Sequence, residues 1–139
     1  MASAELSNET IPVLTKTIPQ VKINQFESCG ILDRENIHNN PELAKQRLGT
    51  TYTIASGRMS VAFASESLRK FFGGEVFNHS GTVNLKFLRP VKEGDTITVG
   101  GTVNSREKVG NGTKVTVDLY CENQNGDKTA VGQGSAIVS

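Results

Sequence analysis

The sequence predicts an α+β fold in which one long central helix is held by a curved antiparallel sheet. Three observations carry this. Between Gly57 and Phe72 apolar residues return with helical spacing, so Val61, Ala64, Leu68, Phe71 and Phe72 share a face opposite Glu66, Arg69 and Lys70. From Val83 onward the period drops to 2, the spacing of half-buried strands. Gly110-Asn111-Gly112 and Asn125-Gly126 punctuate those runs as hairpin turns do. The helix's apolar face is wide and carries two aromatics, which suits a helix covered on most sides.

Residues 1–10 are polar and are expected to fray. Ile11 to Pro19 holds Ile, Val and Thr between prolines and reads as a short first strand. Val21, Ile23 and Phe26 suggest a short helix or turn ending near Gly30. Asp33 to Asn40 is polar and Asn-rich, which favours turns. Pro41 suits the first turn of a helix continued by Glu42 to Arg47 and stopped at Gly49. A loop from Gly49 to Ser56 leads into the long helix, which ends at Gly73-Gly74. Four strands follow. Val83, Leu85 and Phe87 alternate up to Pro90, and Ile97, Val99 and Val103 form the next run, with Gly100-Gly101 marking a bulge or bend. Val115, Val117, Leu119 and Cys121 form the third; Ala130 to Val138, glycine-rich as close packing requires, forms the last. His79 reads as a loop residue and Asn104 to Lys108 as a solvated strand end. No repeat or linker divides residues 1–139, which are expected to form a single domain.

At 139 residues the chain is long enough to bury a core, and 36% hydrophobic with 21% charged residues places it among globular proteins. A net charge of +1 gives no electrostatic case for nucleic acid or an anionic membrane as partner. Cys29 and Cys121 stand apart from any metal-ligand spacing, so no metal site is suggested. Lone cysteines, no apolar leader segment and no stretch of transmembrane length together lead to an expected cytoplasmic location.

The stretch that carries chemistry runs from Asp33 to Ala44. It sets a carboxylate and an imidazole five residues apart, immediately before the Pro41 helix. A histidine titrates near neutral pH and moves protons, and an aspartate can orient or charge-stabilise it. The plainer reading is a solvated turn with Asp33 as a cap, and the pair alone does not decide between the two.

Three segments in order tip the balance. Ile37-His38-Asn39-Asn40-Pro41-Glu42-Leu43-Ala44-Lys45 resembles the signature of MaoC-like, (R)-specific enoyl-thioester hydratases, Gly-Asp-x-Asn-Pro-Ile-His-x5-Ala, with Asp33, His38 and Ala44 at the family spacing. Ile54-Ala55-Ser56-Gly57 is similar to the family's Ile-Ala-His-Gly. Phe87-Leu88-Arg89-Pro90-Val91-Lys92-Glu93-Gly94-Asp95 is similar to its Phe-x-Arg-Pro-Val-x-x-Gly-Asp. A long helix followed by an antiparallel meander is also the layout of the hotdog fold, so the resemblance implies that fold from about Ile11 to Val138. The departures are Leu32 for Gly, Glu35 for Asn, Asn36 for Pro and Ser56 for His, with Arg58 after Gly57.

The resemblance implies a hydratase or dehydratase interconverting trans-2-enoyl and (R)-3-hydroxyacyl thioesters carried on coenzyme A or acyl carrier protein. Asp33 and His38 would activate a water for C3 and return a proton to C2. The Gly57 N–H, at the positive end of the helix, would stabilise charge on the thioester oxygen. Ser65 would support Asp33, although a packing serine is its plainer role. Ser56 would donate to a ligand or cap the helix. Arg58 would meet a coenzyme A phosphate, a substrate carboxylate or only solvent. Val61 and Leu68 would line an acyl tunnel with the loop before the helix. Arg89 is expected in packing. The chemistry implies no metal or redox cofactor, and a homodimer or dimer of dimers. Two other readings stay open: a hotdog thioesterase, for which Glu66 is the helix's acidic candidate on the polar face, and a non-catalytic acyl-thioester-binding module or partner subunit of an active hydratase. The same dyad could also serve a lyase eliminating another group from C3.

Overall fold

The computed structural model describes residues 9–29 and 34–139. Strand β1 (Leu14–Thr17) is followed by helices α1 (Gln20–Glu27), α2 (Pro41–Leu48), α3 (Gly57–Phe72) and α4 (Gly74–Ser80). Strands β2 (Thr82–Phe87), β3 (Thr96–Val109), β4 (Gly112–Glu122) and β5 (Lys128–Val138) complete the chain. All pairings are antiparallel, in the order β1-β3-β4-β5-β2. The sheet packs its apolar face on α3, as the expected layout requires.

The period-2 pattern does what it predicts. Ile97, Val99 and Val103 from β3, Val115, Val117, Leu119 and Cys121 from β4, and Ala130 and Ala136 from β5 all point into one core. Met59, Ala64 and Leu68 of α3 meet them. Burying each Val, Leu, Ile or Met side chain among them contributes about 1.5–3 kcal/mol relative to leaving it in water, and each alanine less. The approach of helix to sheet depends on Gly134, where a Cβ would collide with Leu68. Gly132 likewise has no room for one because the Asn84 carbonyl lies against it.

The buried stripe of α3 differs from the apolar list. Ser60 and Ser67 are buried on it, the latter donating to the Pro12 carbonyl at 2.8 Å, whereas Val61, Phe71 and Phe72 are half-covered. Leu68 is fully buried and lies against Gly134 of β5.

Three sequence expectations are corrected. The long helix ends at Gly73-Gly74 as expected, but His79 does not lie in a loop. Gly73, at φ 89°, redirects the chain, and α4 follows at once, carrying His79 on a helix rather than in a loop. Its Phe77 stacks on Phe72 at 6.4 Å, which holds the short helix against α3. The irregularity in β3 falls between Val103 and Ser105, not at Gly100-Gly101. Those two glycines stay paired, and are small because Tyr120 and the Asp118 carbonyl crowd them from β4. Finally, Glu9 and Thr10 do not fray. Val103 N–H donates to the Glu9 carbonyl at 2.7 Å, Thr10 bridges Thr102, and Glu9 pairs with Arg106. Beyond Arg106 the β3–β4 hairpin runs out to an exposed tip at Gly110-Asn111, with Gly110 at φ 61°.

Two predictions follow from this packing. Gly134→Val should lower unfolding free energy in urea by about 1–3 kcal/mol, the usual cost of overfilling a packed core. Both cysteines are free, Cys29 exposed and Cys121 buried, and burial pushes the Cys121 thiol up to about 11. At pH 8 one thiol per chain should therefore react with a disulfide reagent, the second only after unfolding.

Candidate active site

The candidate site is built from three loops at the start of α3. A short antiparallel pairing positions them: Ala55 N–H donates to the Val91 carbonyl at 2.7 Å, and Glu93 N–H donates to the Thr53 carbonyl at 3.1 Å. Ile54 and Lys92 form the bridge between. The turn beyond is tied by Asp95, which is buried. Its Oδ2 accepts the Lys92 N–H at 2.9 Å and its Oδ1 accepts from Gln124. Gly94 takes φ 87° there, a conformation that a side chain would strain. The Gly94-Asp95 pair thus acts as a structural clasp.

Helix α3 begins with Ser56 as its N-cap, the side chain accepting the Arg58 N–H at 3.3 Å while the Ser56 carbonyl accepts from Met59. Gly57 N–H is left without a partner among the described residues, at the end where the helix dipole is positive. Asn40 caps α2 in the same way, accepting from Glu42 and Leu43, with Pro41 in the first turn. That cap fixes the end of the preceding turn, Ile37–Asn39.

His38 sits in this turn, half-buried. Its Nδ1 lies 2.7 Å from the Ile54 carbonyl oxygen. A carbonyl only accepts, so Nδ1 carries the proton and Nε2 is the nitrogen left to exchange one. Its backbone is held as well: Gln20 Nε2 donates to the His38 carbonyl at 2.9 Å, and Gln20 Oε1 accepts from the hydroxyl of buried Thr53.

His38, Ser56 and Gly57 line one cleft of ≈ 320 Å³. Its remaining walls come largely from Ile54, Ser60, Phe87, Leu88, Arg89 and Thr129. The surroundings are mostly apolar, which strengthens any dipole aimed into them. Asp33 lies outside the described residues. Arg58 is exposed, Val61 is half-buried, and neither lines the cleft. Ser65 is also outside it, its hydroxyl donating to the Val61 carbonyl of its own helix at 2.8 Å, the packing role. Among the described residues no three of His, Cys, Asp and Glu come together as metal ligands would.

Sequence reasoning missed Ser60 and the wall role of Phe87. The clue to Phe87 was Gly57 itself: a Cβ there would meet the Phe87 ring at 2.8 Å. The glycine is thus accounted for by the ring beside it, independently of any ligand.

The MaoC-like domain family model matches residues 4–125. No curated protein sequence matches the chain significantly. Among solved structures, a monoamine oxidase regulatory protein from Archaeoglobus fulgidus superposes with a TM-score of 0.76 at 25% identity, over 94% of this chain and 88% of that one. An (R)-hydratase from Pseudomonas aeruginosa gives 0.71 at 24% identity, over 98% and 84%. The C-terminally truncated 3R-hydroxyacyl-ACP dehydratase complex HadBC from Mycobacterium tuberculosis gives 0.73 at 14% identity, over 95% and 96%. The fold is the hotdog fold that the sequence led us to expect.

Because the Phe87 ring fills the space beside Gly57, Gly57→Ala should destabilise the wild-type chain by about 1 kcal/mol through overpacking. In a Phe87→Ala background the same change should stabilise by roughly 0.5 kcal/mol, the ordinary gain of Ala over Gly in a helix. Urea unfolding of the four proteins measures both signs.

Proposed function

The chain belongs to the MaoC-like domain family, and from that premise we propose that it hydrates trans-2-enoyl thioesters to (R)-3-hydroxyacyl thioesters, or catalyses the reverse dehydration. The observation that carries the reading is the hydrogen bond from His38 Nδ1 to the Ile54 carbonyl. It fixes the neutral tautomer, leaving Nε2 to take a proton from a water in a cleft that also receives the Gly57 end of α3.

In this mechanism the substrate thioester lies with its carbonyl oxygen at Gly57 N–H. Enolate charge that develops as water adds to C3 is then met by the helix end. His38 Nε2 removes a proton from the attacking water. Asp33, five residues earlier in the chain, shares that water, and His38 then returns the proton it took to C2, so the net reaction adds H and OH across C2=C3 and leaves both groups as they began. Because acid–base chemistry suffices, we propose that no metal or redox cofactor takes part and that the acyl group rides on coenzyme A or acyl carrier protein. A homodimer or dimer of dimers, and a cytoplasmic location, belong to the same proposal. Among the described residues no helix is long and apolar enough to cross a membrane.

The thioesterase reading loses support at Glu66. Its carboxylate bonds Lys16 at 3.1 Å and Lys70 at 3.3 Å on the outer face of α3, away from the cleft. The hydrogen bond from Lys16 is the first cause holding its carboxyl below the ordinary range, and the Lys70 bond adds to it against partial desolvation. A carboxylate so occupied is a poor base for a water at the helix start.

The test is loss of enoyl absorbance on mixing with crotonyl-CoA. We expect turnover by the wild type and a loss of about 10²–10⁴-fold in His38→Ala and Asp33→Asn, the usual share of a positioned acid or base. Thiol release at the same rate would point to a thioesterase, and saturable binding without turnover to a binding module.

A further inference from the structure

We propose that Glu27, acting through Asn36, is the positioning residue that shapes the turn carrying His38; this rests on the reading of His38 given above. Glu27 is the last residue of α1 and only 3% exposed. Its Oε1 accepts a hydrogen bond from Asn36 Nδ2 at 2.8 Å, and its Oε2 is buried with no partner among the described residues. A carboxyl group so placed is costly to keep unless something depends on it.

What depends on it is the orientation of one amide. Asn36 Oδ1 accepts the His38 N–H at 2.8 Å and the Asn39 N–H at 3.2 Å, while Asn36 N–H donates to Asn39 Oδ1 at 2.8 Å. These bonds fold Asn36–Asn39 into the turn that presents the His38 ring. They require the oxygen of the Asn36 amide, not its nitrogen, to face those N–H groups. An acceptor on the opposite side sets that choice, and Glu27 Oε1 supplies it; the Arg34 carbonyl, at 3.3 Å, is a longer second acceptor.

Asn36 stands where the family signature has Pro. A proline fixes its backbone through its ring. Here a side-chain network replaces the ring, and the network needs an anchor. Helix α1 provides two: Glu27 at its last residue grips the start of the turn, and Gln20 at its first holds the His38 carbonyl. Helix α1 is thus a splint laid across the His38 turn, its Gln20 end holding the backbone of His38 and its Glu27 end setting the Asn36 amide.

The experiment compares the full chain with Glu27→Ala, Glu27→Gln and Asn36→Ala. The chain has two histidines, so ring-¹⁵N NMR in a His79→Gln background reads His38 alone. The wild type should show a protected Nδ1–H proton bonded to the Ile54 carbonyl. Glu27→Gln keeps an acceptor for Asn36 and should retain that proton, with kcat for crotonyl-CoA within about threefold of wild type. Glu27→Ala and Asn36→Ala should lose or broaden the signal and lower kcat about 10- to 100-fold with KM nearly unchanged, as misplacement of a catalytic group does. An undisturbed His38 signal in a folded Glu27→Ala protein overturns the proposal. So does a Glu27→Gln protein as damaged as Glu27→Ala, since the carboxyl would then act otherwise than as an acceptor. If Glu27→Ala fails to fold, Asn36→Ala removes the same bond from the half-exposed side, and an unchanged signal there is equally fatal. A wild type without hydratase activity whose His38 signal still follows this pattern would sink the functional reading and leave the positioning role standing.

Discussion

The cleft hangs on one short stretch of pairing, Thr53 to Ala55 against Val91 to Glu93. It has only two backbone bonds and one bridge, yet it sets three things together. It aims the start of α3, turns the Ile54 carbonyl toward the His38 ring, and lays Leu88 to Val91 along the opposite wall. The clasp at Gly94 and Asp95 keeps this pairing in register with β1, because Gly94 N–H donates to the Ile18 carbonyl and Ile18 N–H to that of Asp95. Two motifs far apart in the sequence are thereby one piece of structure, and each is legible only with the other present.

The long-range scaffold was readable because it rests on period. The helix at Gly57–Phe72 and four strands after it follow from where apolar residues fall, and capping at Asn40, Ser56 and Gly49 fixes the ends. What escaped the sequence was local and competitive. Two consecutive glycines after Phe72 do end the long helix, but the short helix that starts there, held by Phe77 against Phe72, was not read. Gly100-Gly101 read as a bulge, but their smallness answers Tyr120 and the Asp118 carbonyl across the ladder, a reason that lives on a different strand. The same holds in the site. His38, Ser56 and Gly57 were findable from spacing and family likeness. Ser60, buried on α3, and Phe87, defined by its contact with Gly57, required coordinates.

The cleft brings together an imidazole on a turn and the N-terminal end of a helix. The two have different structural needs. Gly57 inherits its position from a sixteen-residue helix seated on the sheet, and little local reinforcement is called for. His38 belongs to no regular element, and its placement is assembled from side-chain bonds to Gln20, Asn36 and Ile54. The departure at Asn36 trades one way of holding a turn for another, and the departure at Ser56 still caps the helix.

The β3–β4 hairpin extends past the core to Gly110-Asn111, and its tip touches neither the cleft-forming loops nor the buried face of α3. The backbone of Gly110-Asn111 turns between β3 and β4, and β5 flanks β4 from Thr113 onward. A fluorophore, epitope or surface-attachment tag spliced into that exposed turn would project into solvent, so the molecule can be tethered or watched without a hand laid on its cleft.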